Sequence, residues 1–390
     1  MLHILRVTGF HDTAIFFLGK HGDENVYYVE VDDPDEIDAR IIMKKLLLHN
    51  TRSNTIHTYP LHYPANDFSG MISSGALYYC RYSQKDTFLH IHRLNFSPIH
   101  SSEIIVPLAD MTGDATINRT EMKGIDERYC LFGCSTSETF ETTHLLLIDF
   151  KEEAYYNMML NLGLEGVPGI ERIFKIKDSS IHPHHEQIIL ITGGFHWTEK
   201  YEVWKNKNSA LDILTEQVMA FEKESFFRNI KAGRSLEALD KILIEHCNSQ
   251  KSIISYDYNE AELIYTVADF DKNKTSGMKY NVHSGLQKVF EYESTLSEPL
   301  YINSQLFSVE TLDHGRRAIL DLNTNKIVVI LASDENLLAI DEHNLITFKW
   351  LNSGCQQLIY LYDLTEEPLE QKFLGIGYSH YYDKQLTIFS

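Results

Sequence analysis

The segment IHPHHEQ, residues 181–187, brings together side chains that could bind a metal ion. His182, His184 and His185 lie beside Glu186, and imidazole groups suit zinc, copper or nickel. The segment precedes an apolar run, so we predict that it forms the loop entering an inner strand, where solvated polar side chains are common. We therefore expect a structural or solvent-exposed role and no metal. A metal-binding or pH-sensitive contact stays open as the alternative.

The segment DFDKNKTSG, residues 269–277, is similar to the first part of a calcium-binding loop. Asp269 begins an alternation of Asp, Asp and Asn, but the sixth position is Lys274 where such a loop requires Gly, and the twelfth is Tyr280 where it requires Glu. Because the segment lies between two apolar runs, it is predicted to be a hairpin turn.

The cysteines give a second possible metal motif, CLFGC. Cys130 and Cys134 are four residues apart on a predicted strand and so face the same side, but no second Cys or His pair has zinc-ligand spacing. The chain has five cysteines in all, an odd and scattered set. We expect reduced, buried thiols and a cytosolic or nuclear location.

Catalytic signatures are missing from the sequence. It contains no Gly-x-Ser-x-Gly motif, no phosphate-binding loop and no dinucleotide fingerprint. Histidine pairs occur in HTYPLHYP and FLHIHRL, without a partnered nucleophile nearby. We predict no catalytic residue and no cofactor.

The elements that would position any site are predicted from a recurring hairpin. AILDLNTNKIVVIL, residues 318–331, has an apolar strand ending at Asp321, a polar turn and a second apolar strand. Similar segments place Asp149, Asp363 and Asp32 at the same point, and each is preceded by another apolar strand. The hairpins recur roughly every 40 to 60 residues, the range of a four-stranded propeller blade. The recurring Asp lies beside a turn, where it can accept backbone N–H bonds.

The segment ILITGGFHWTEKYEVWKN carries a family resemblance. Its Thr192-Gly193-Gly194 turn and its Val203-Trp204 pair resemble the Ser/Thr-Gly turn and the Trp-Asp ending of WD-repeat β-propellers, although Lys205 replaces the Asp. The resemblance covers nearly the whole chain as a pattern. It implies an all-β propeller that binds other proteins.

The two ends of the chain are predicted to share one blade. FLGIGYSHYYDKQLTIFS contains two strands and then stops at Ser390, while the amino-terminal LHILRVT lacks a local partner. Pairing them would cover an exposed sheet edge. We predict a single propeller domain over residues 1–390, with seven or eight blades and closed by the amino-terminal strand.

An α-helical hairpin is predicted to interrupt this pattern at residues 209–248. The segment shows helical apolar spacing, and Ser209 and Ser235 are possible helix caps. Packing of its apolar stripe on the propeller is the simpler expectation. The alternative is that Phe226, Phe227 and Ile230 stay partly exposed and bind a partner, and Trp197 is a fourth candidate for this role.

Charge and hydropathy exclude several partners. The formal net charge of −20 would repel nucleic acid and anionic membranes. No run reaches the roughly 18 apolar residues that span a membrane, and the amino terminus does not have the pattern of a secretory signal. We expect an intracellular protein, without fixing its oligomeric state.

Two functions agree with these features. The first is a non-catalytic scaffold that binds one or more proteins, as a subunit of a larger assembly. The second is a metal-assisted hydrolase or lactonase with its site in the central channel. An enzyme of that kind would repeat Asp, Glu, Asn or His in the same loop of several blades, and no such repeat is found. The scaffold is therefore favoured.

Overall fold

A computed structural model describes most of the chain. It describes residues 2–390 except 11–13, 33–41, 62–68, 74, 82–86, 97–98, 111–116, 137–143, 159–174, 183–185, 194–215, 248–249, 260–261, 294–299, 302–305, 312–315, 322–323, 325, 341–342, 352–355, 367 and 383. Within these residues the protein divides into two compact units, residues 1–65 with 297–390 (unit 1) and residues 66–296 (unit 2). The prediction of one domain stays a prediction.

Nearly all the regular structure is β-strand. The first strands are β1 (His3–Val7), β2 (Ala14–His21), β3 (Glu24–Asp32), β4 (Ile42–Asn50), β5 (Thr55–Leu61), β6 (Ser69–Ser73), β7 (Ala76–Arg81), β8 (Phe88–Phe96), β9 (Ile99–Pro107), β10 (Ile117–Gly124), β11 (Tyr129–Thr136), β12 (His144–Asp149), β13 (Ala154–Asn157), β14 (Lys175–His182) and β15 (Gln187–Gly193). They are followed by β16 (Glu216–Glu222), β17 (Ile242–Cys247), β18 (Lys251–Asn259), β19 (Glu262–Asp269), β20 (Lys274–Asn281), β21 (Gly285–Tyr292), β22 (Leu300–Tyr301), β23 (Leu306–Thr311), β24 (Arg316–Asp321), β25 (Lys326–Ile330), β26 (Asn336–Ile340), β27 (Asn344–Trp350), β28 (Gln357–Asp363), β29 (Gln371–Tyr382) and β30 (Gln385–Phe389).

Helical structure among the described residues is short. One α-helix, α1 (Lys223–Lys231), and two 3₁₀ turns, Leu108–Asp110 and Leu236–Ala238, are present in that part of the chain. None of the described helices is long or apolar enough to cross a membrane.

The strands form antiparallel sheets that follow one another along the chain. In the described residues, six sheets have four strands each, in the orders β2 to β5, β6 to β9, β10 to β13, β14 to β17, β18 to β21 and β22 to β25. Consecutive strands pair with each other, which is the arrangement of a propeller blade. The fold is an all-β propeller, as predicted. The hairpin of residues 318–331 is β24 and β25.

The sheets of unit 2 pack face to face in chain order. One apolar cluster joins the second sheet of the chain to the third, and includes Tyr78, Ile91 and Phe132. A second joins the third sheet to the fourth, and another joins the fourth to the fifth. Their middle strands are covered on both faces, so β7 and β19 are almost entirely buried and lack polar alternation.

Unit 1 is built on the same principle. Tyr27 and Leu47 of the first sheet pack with Val7 and Phe389 of the terminal strands. Ile319 of β24 packs with Leu345 of β27. Each sheet is therefore held by its neighbour's apolar face.

The amino-terminal strand completes the carboxyl-terminal sheet, as predicted. β1 lies parallel to β30, with His3 opposite Gln385 and Val7 opposite Phe389. The resulting sheet has six strands, in the order β1, β30, β29, β28, β27, β26. This pairing covers the edge that β30 would otherwise expose.

Strand β29 belongs to two ladders. Its first half pairs with β28 as far as Gly377, and its second half pairs with β30 from Tyr378. Gly377 lies at the change of partner with φ of 149°. Six blades are thus seen in the described residues as four-stranded sheets, and the predicted total of seven or eight blades stays a prediction.

The predicted helical hairpin at residues 209–248 is wrong. Among the described residues of this segment, 216–222 are strand β16, 223–231 are the one α-helix, and the second predicted helix is a 3₁₀ turn followed by β17; residues 209–215 and 248 lie outside the described residues. The reason is burial on both faces. Val218 packs toward the fifth sheet and Met219 toward the third, so β16 is apolar without alternation and its sequence cannot be told from a buried helix.

Substitution of Gly377 should reveal the constraint on β29. A Cβ at this position would lie 1.9 Å from the carbonyl oxygen of Phe389, and the backbone is in a region that other residues rarely adopt. We expect Gly377→Ala to lower the free energy of unfolding by about 2–3 kcal/mol, measured by urea denaturation. Gly375→Ala is the control, because its nearest new contact would be the flexible end of Arg6. Equal losses in both variants would contradict the prediction.

Candidate functional site

The predicted partner-binding residues of α1 are buried. Phe226, Phe227 and Ile230 are 1%, 2% and 1% exposed and belong to the apolar cluster between the third and fourth sheets. Phe227 stacks on Tyr129 with ring centroids 3.7 Å apart. The alternative that these three side chains stay partly exposed is wrong, and the simpler expectation that they pack on the propeller is confirmed, because the helix covers the end of its neighbouring blade. A partner role for them stays untested.

The other predicted positions lie largely outside the described residues. Trp197, His184 and His185 are not among them, nor is the side chain of His182, which ends β14. Within the described part of the chain, no three His, Cys, Asp or Glu side chains are grouped so that they could hold a metal ion.

Two smaller predictions are confirmed. Residues 270–273 form the turn between β19 and β20, and the carboxylate of Asp269 accepts a hydrogen bond from the Lys272 N–H at 3.1 Å. Cys130 and Cys134 are free, buried thiols in one apolar cluster. Burial raises the pKa of the Cys134 thiol to about 12, so it is un-ionised at neutral pH.

The strand-end aspartate of β12 organises an ionic cluster. Arg128 donates two hydrogen bonds to Asp149, from Nε at 2.8 Å and from Nη2 at 2.6 Å. Lys231, in the last turn of α1, pairs with the same carboxylate. Asp149 also accepts from the backbone N–H of Lys151 and Glu152. The cluster therefore ties α1 to the turn of the neighbouring blade.

The electrostatics of this cluster favour a structural role. The carboxylate of Asp149 is fully buried, and burial alone would raise its pKa, but the hydrogen bonds from Arg128 and Lys231 outweigh that effect and hold the pKa well below its usual range. Both carboxylate oxygens accept from donors within the protein, Oδ1 from Arg128 and the N–H groups of Lys151 and Glu152, and Oδ2 from Arg128 and Lys231. A carboxylate used in this way is poorly placed to act on a substrate.

A histidine pair in unit 2 lies beside a carboxylate. His90 and His92 of β8 face Glu103 of β9, with nitrogen-to-oxygen distances of 2.7 Å and 3.5 Å. Tyr79 stacks on His92 with centroids 4.7 Å apart. Burial lowers the pKa of His92 to about 4. The histidine pair is visible in the sequence, but its contact with Glu103 is not, because that contact joins two different strands.

Exposed apolar side chains concentrate on the last strands of the blades. Ten such residues share this position: Ile105 on β9, Ile242 and Leu243 on β17, Leu286 and Val289 on β21, Ile327, Val328 and Ile330 on β25, and Phe373 and Ile376 on β29. A last strand is the outer edge of its blade and is covered less than the middle strands. Scattered exposed apolar residues are normal, but a group on one short strand is a candidate interaction surface.

Strand β25 carries such a group, Ile327, Val328 and Ile330, which we call the β25 strip. Ile327, Val328 and Ile330 are 45%, 38% and 52% exposed, in a strand of five residues. β25 pairs with β24 and with no other described strand. The register shifts at Val328, so that Ile327 lies opposite Leu320 and Ile330 opposite Ala318. Without this bulge, residues three apart would face opposite sides.

The sequence predicted β25 as a strand but not its exposure. A run such as KIVVI is typical of a strand buried on both faces, and here the tertiary arrangement leaves it uncovered. The charged side chains that commonly protect an edge strand are missing between Lys326 and Ile330. The β25 strip is the candidate functional surface.

Comparison with known proteins identifies the fold. No protein-family model matches the chain, so the WD-repeat resemblance is not supported beyond the propeller fold. No curated protein matches it either. The similar solved structures include one from a structural and mechanistic analysis of two prolyl endopeptidases, at 9% identity and a TM-score of 0.51, covering 94% of this chain and 50% of that one. Dipeptidyl peptidase 4 of Porphyromonas gingivalis gives 9% identity and a TM-score of 0.51, covering 94% and 54%.

A third similar structure is the β-propeller domain of the Trilobed protease from Pyrococcus furiosus. It has 10% identity and a TM-score of 0.47, with 93% of this chain and 98% of that domain covered. The chain spans about half the length of the two peptidase structures above. Likeness at these identities concerns the fold and carries no activity to this protein.

Removal of the Asp149 charge should destabilise unit 2. Asp149→Asn leaves Arg128 and Lys231 without their shared counter-charge, and loss of one partner from a buried ion pair costs about 3 kcal/mol or more. Urea denaturation measures the loss. Glu152→Gln is the control, because Glu152 joins the same cations but its side chain is 48% exposed, so a much smaller loss is expected. Equal free energies of unfolding for the two variants would show that the buried ion pairs of Asp149 do not stabilise the fold more than the exposed ones of Glu152.

Acid should destabilise the protein through His92. The folded pKa is about 4 and lies below the unfolded value of 6.5, so the unfolded state binds the extra proton between these values. The contribution of His92 to the free energy of unfolding is fully present above pH 6.5. It falls by on the order of 2 to 3 kcal/mol as the pH drops toward 4. His92→Phe keeps an aromatic ring against Tyr79 and should reduce the loss between pH 7 and pH 4.5, measured by urea denaturation. His246→Phe, at an exposed position, should leave it unchanged; equal effects would refute the assignment.

Proposed function

We propose that this protein is a non-catalytic interaction scaffold that binds an extended apolar segment of another protein along the β25 strip. The observation that carries the proposal is the exposure of Ile327, Val328 and Ile330 on one five-residue edge strand. Covering three large apolar side chains removes them from water, which is the main favourable term in most protein associations.

The geometry of the strip suits an extended partner. β25 is an edge strand whose four residues after Lys326 are all apolar, and such edges accept a further strand or an extended segment. The rigid stacking of β24 against β27 through Ile319 and Leu345 holds the strip in place. A preorganised surface loses little conformational entropy on binding.

Charge contributes to the choice of partner. The formal net charge of −20 opposes acidic partners at long range and favours a neutral or basic segment. No observation on the described residues favours the metal-assisted hydrolase, and it is not proposed.

The β25 strip can be tested by site-specific crosslinking. A photo-crosslinking residue at Val328 should capture a partner protein, and mass spectrometry should map the crosslink to an extended apolar segment of that partner. Ile330→Lys places a charge in the strip and should abolish this crosslink, because a buried unpaired charge opposes association.

The matched control is Ile105→Lys, which changes an equally exposed apolar residue on the last strand of another blade. Melting curves establish that both variants remain folded. Retention of the same crosslinked partner by Ile330→Lys, or capture of only a second copy of this chain, would overturn the proposal. Loss in both variants would also contradict it, since the effect would then follow net charge and not the strip.

A further inference from the structure

A polar cavity of about 260 Å³ lies within unit 1, far in sequence from the β25 strip. Its lining comes from the ends of five strands and two turns, and includes Lys20, Asn25, Thr51, Tyr382, Lys384 and Gln385. Nearly every lining side chain is charged or capable of hydrogen bonding. A ligand for such a cavity must be polar and small, since pockets for drug-sized molecules measure about 300–1,000 Å³.

One wall of the cavity is a row across the first sheet. Lys20 of β2 lies directly opposite Asn25 of β3, and Asn25 lies opposite His49 of β4. The register of β2 shifts between Phe17 and Gly19. This bulge sets which face Lys20 presents, so the cation and the amide lie side by side in the same wall.

The opposite wall is a row across the six-stranded sheet. Tyr382 of β29, Gln385 of β30 and His3 of β1 are consecutive partners in the two ladders, and Gln385 Nε2 is 3.1 Å from His3 Nδ1. Lys384 sits in the intervening turn with φ of 61°, and its carbonyl accepts a hydrogen bond from the His3 N–H at 3.1 Å. Pairing of the chain ends therefore builds this wall.

Asn25 is the deepest polar group of the lining. It is only 2% exposed, yet its Oδ1 atom has no hydrogen-bond partner among the described residues. Its Nδ2 atom donates to the hydroxyl of Tyr27 at 3.3 Å. Because a buried polar atom without a partner costs free energy, an amide held in this way marks a place that suits a ligand contact. Amide oxygen and nitrogen can exchange by a flip, so the free position can donate as well as accept.

The floor beneath Asn25 is fixed by aromatic packing. The Tyr27 hydroxyl is 3.3 Å from His380 Nδ1, and Phe17 stacks on the His380 ring with centroids 3.7 Å apart. Tyr27 and Phe389 also pack edge to face at 4.8 Å. These contacts restrict the rotamer of Asn25, so the amide is preorganised for binding.

The charge of the cavity is opposite to that of the chain. Lys20 and Lys384 both line it, whereas the protein carries a formal charge of −20. Lys20 pairs with no acidic side chain in the described ranges, and its ammonium group lies 5.5 Å from the centre of the Tyr382 ring. The nearby Asp23 pairs with Arg52 at 3.0 Å. Two cations in a mainly acidic protein give this cavity a local preference for anions.

From this arrangement we propose that the cavity binds a small, multiply charged oxyanion. Lys20 and Lys384 supply the charge, and the amides of Asn25 and Gln385 supply directional hydrogen bonds. Carboxylate and phosphate groups share the required chemistry, because both present several acceptor oxygens to ammonium and amide donors. The site is separate from the surface proposed for protein binding, so either proposal can fail without the other.

Isothermal titration with inorganic phosphate, and separately with citrate, tests the proposal. The wild-type chain should bind at least one of them, and the stronger of the two identifies the preferred oxyanion. Lys20→Gln and Lys384→Gln should each weaken binding about tenfold or more, the effect of losing one charge-assisted hydrogen bond. Asn25→Asp, which places a negative charge in the wall at nearly constant volume, should abolish it.

The matched control is Lys372→Gln, an exposed lysine on β29 away from the cavity, which should bind as the wild type does. Circular dichroism establishes that each variant is folded; if Asn25→Asp unfolds, the two lysine variants still decide the matter. Absence of binding by both anions would overturn the proposal. So would equal binding by the wild type and both lysine variants, since the anion would then bind elsewhere on the surface.

Discussion

The structure depends on one constraint: the middle strands of each blade are apolar on both faces, so each sheet needs a neighbour on each side. Tyr78 and Tyr265 are fully buried on the middle strands β7 and β19, and neither could be covered by its own sheet. Stacking of successive sheets meets this need with short connections between consecutive strands. The packing clusters accordingly run from sheet to sheet in chain order within each unit.

The same constraint explains the arrangement of the chain ends. A strand at the edge of a sheet leaves backbone groups unpaired, and β30 would be such an edge without β1. Pairing the two ends buries Val7 and Phe389 against Tyr27. It also places His3 beside Gln385 and so builds one wall of the polar cavity. The pairing of β1 with β30 therefore both covers the sheet edge and forms part of the proposed anion site.

Aspartates at the ends of three strands satisfy backbone donors in the turns that follow. Asp149, Asp269 and Asp363 each accept backbone N–H bonds in the turn after a strand, which satisfies donors that the sheet leaves unpaired. Asp149 does more, since Arg128 and Lys231 both pair with it, and the Lys231 contact attaches α1 to the preceding blade. Function is accordingly proposed at two regions that stacking leaves free: the outer edge of one blade and a cavity at strand ends. The two regions differ in chemistry, one apolar and one cationic, and suit different ligands.

The sequence by itself determined the all-β class, the recurring hairpins and the partnership of the two chain ends. These features follow from local patterns: apolar runs, polar turns and strand-end aspartates. The sequence could not separate β16 from a helix, because Val218 and Met219 are buried on opposite faces and remove the alternation that marks a strand. It could not show that Phe226 and Phe227 are buried or that Ile327 and Ile330 are exposed, since all four are apolar and only the neighbouring sheets decide which are covered. The cavity was likewise invisible, because Lys20, Asn25 and Lys384 are unremarkable in sequence and come together only when β1 and β30 pair beside the first sheet. Local patterning thus set the strands, while packing between neighbouring sheets and the pairing of the chain ends decided the sites.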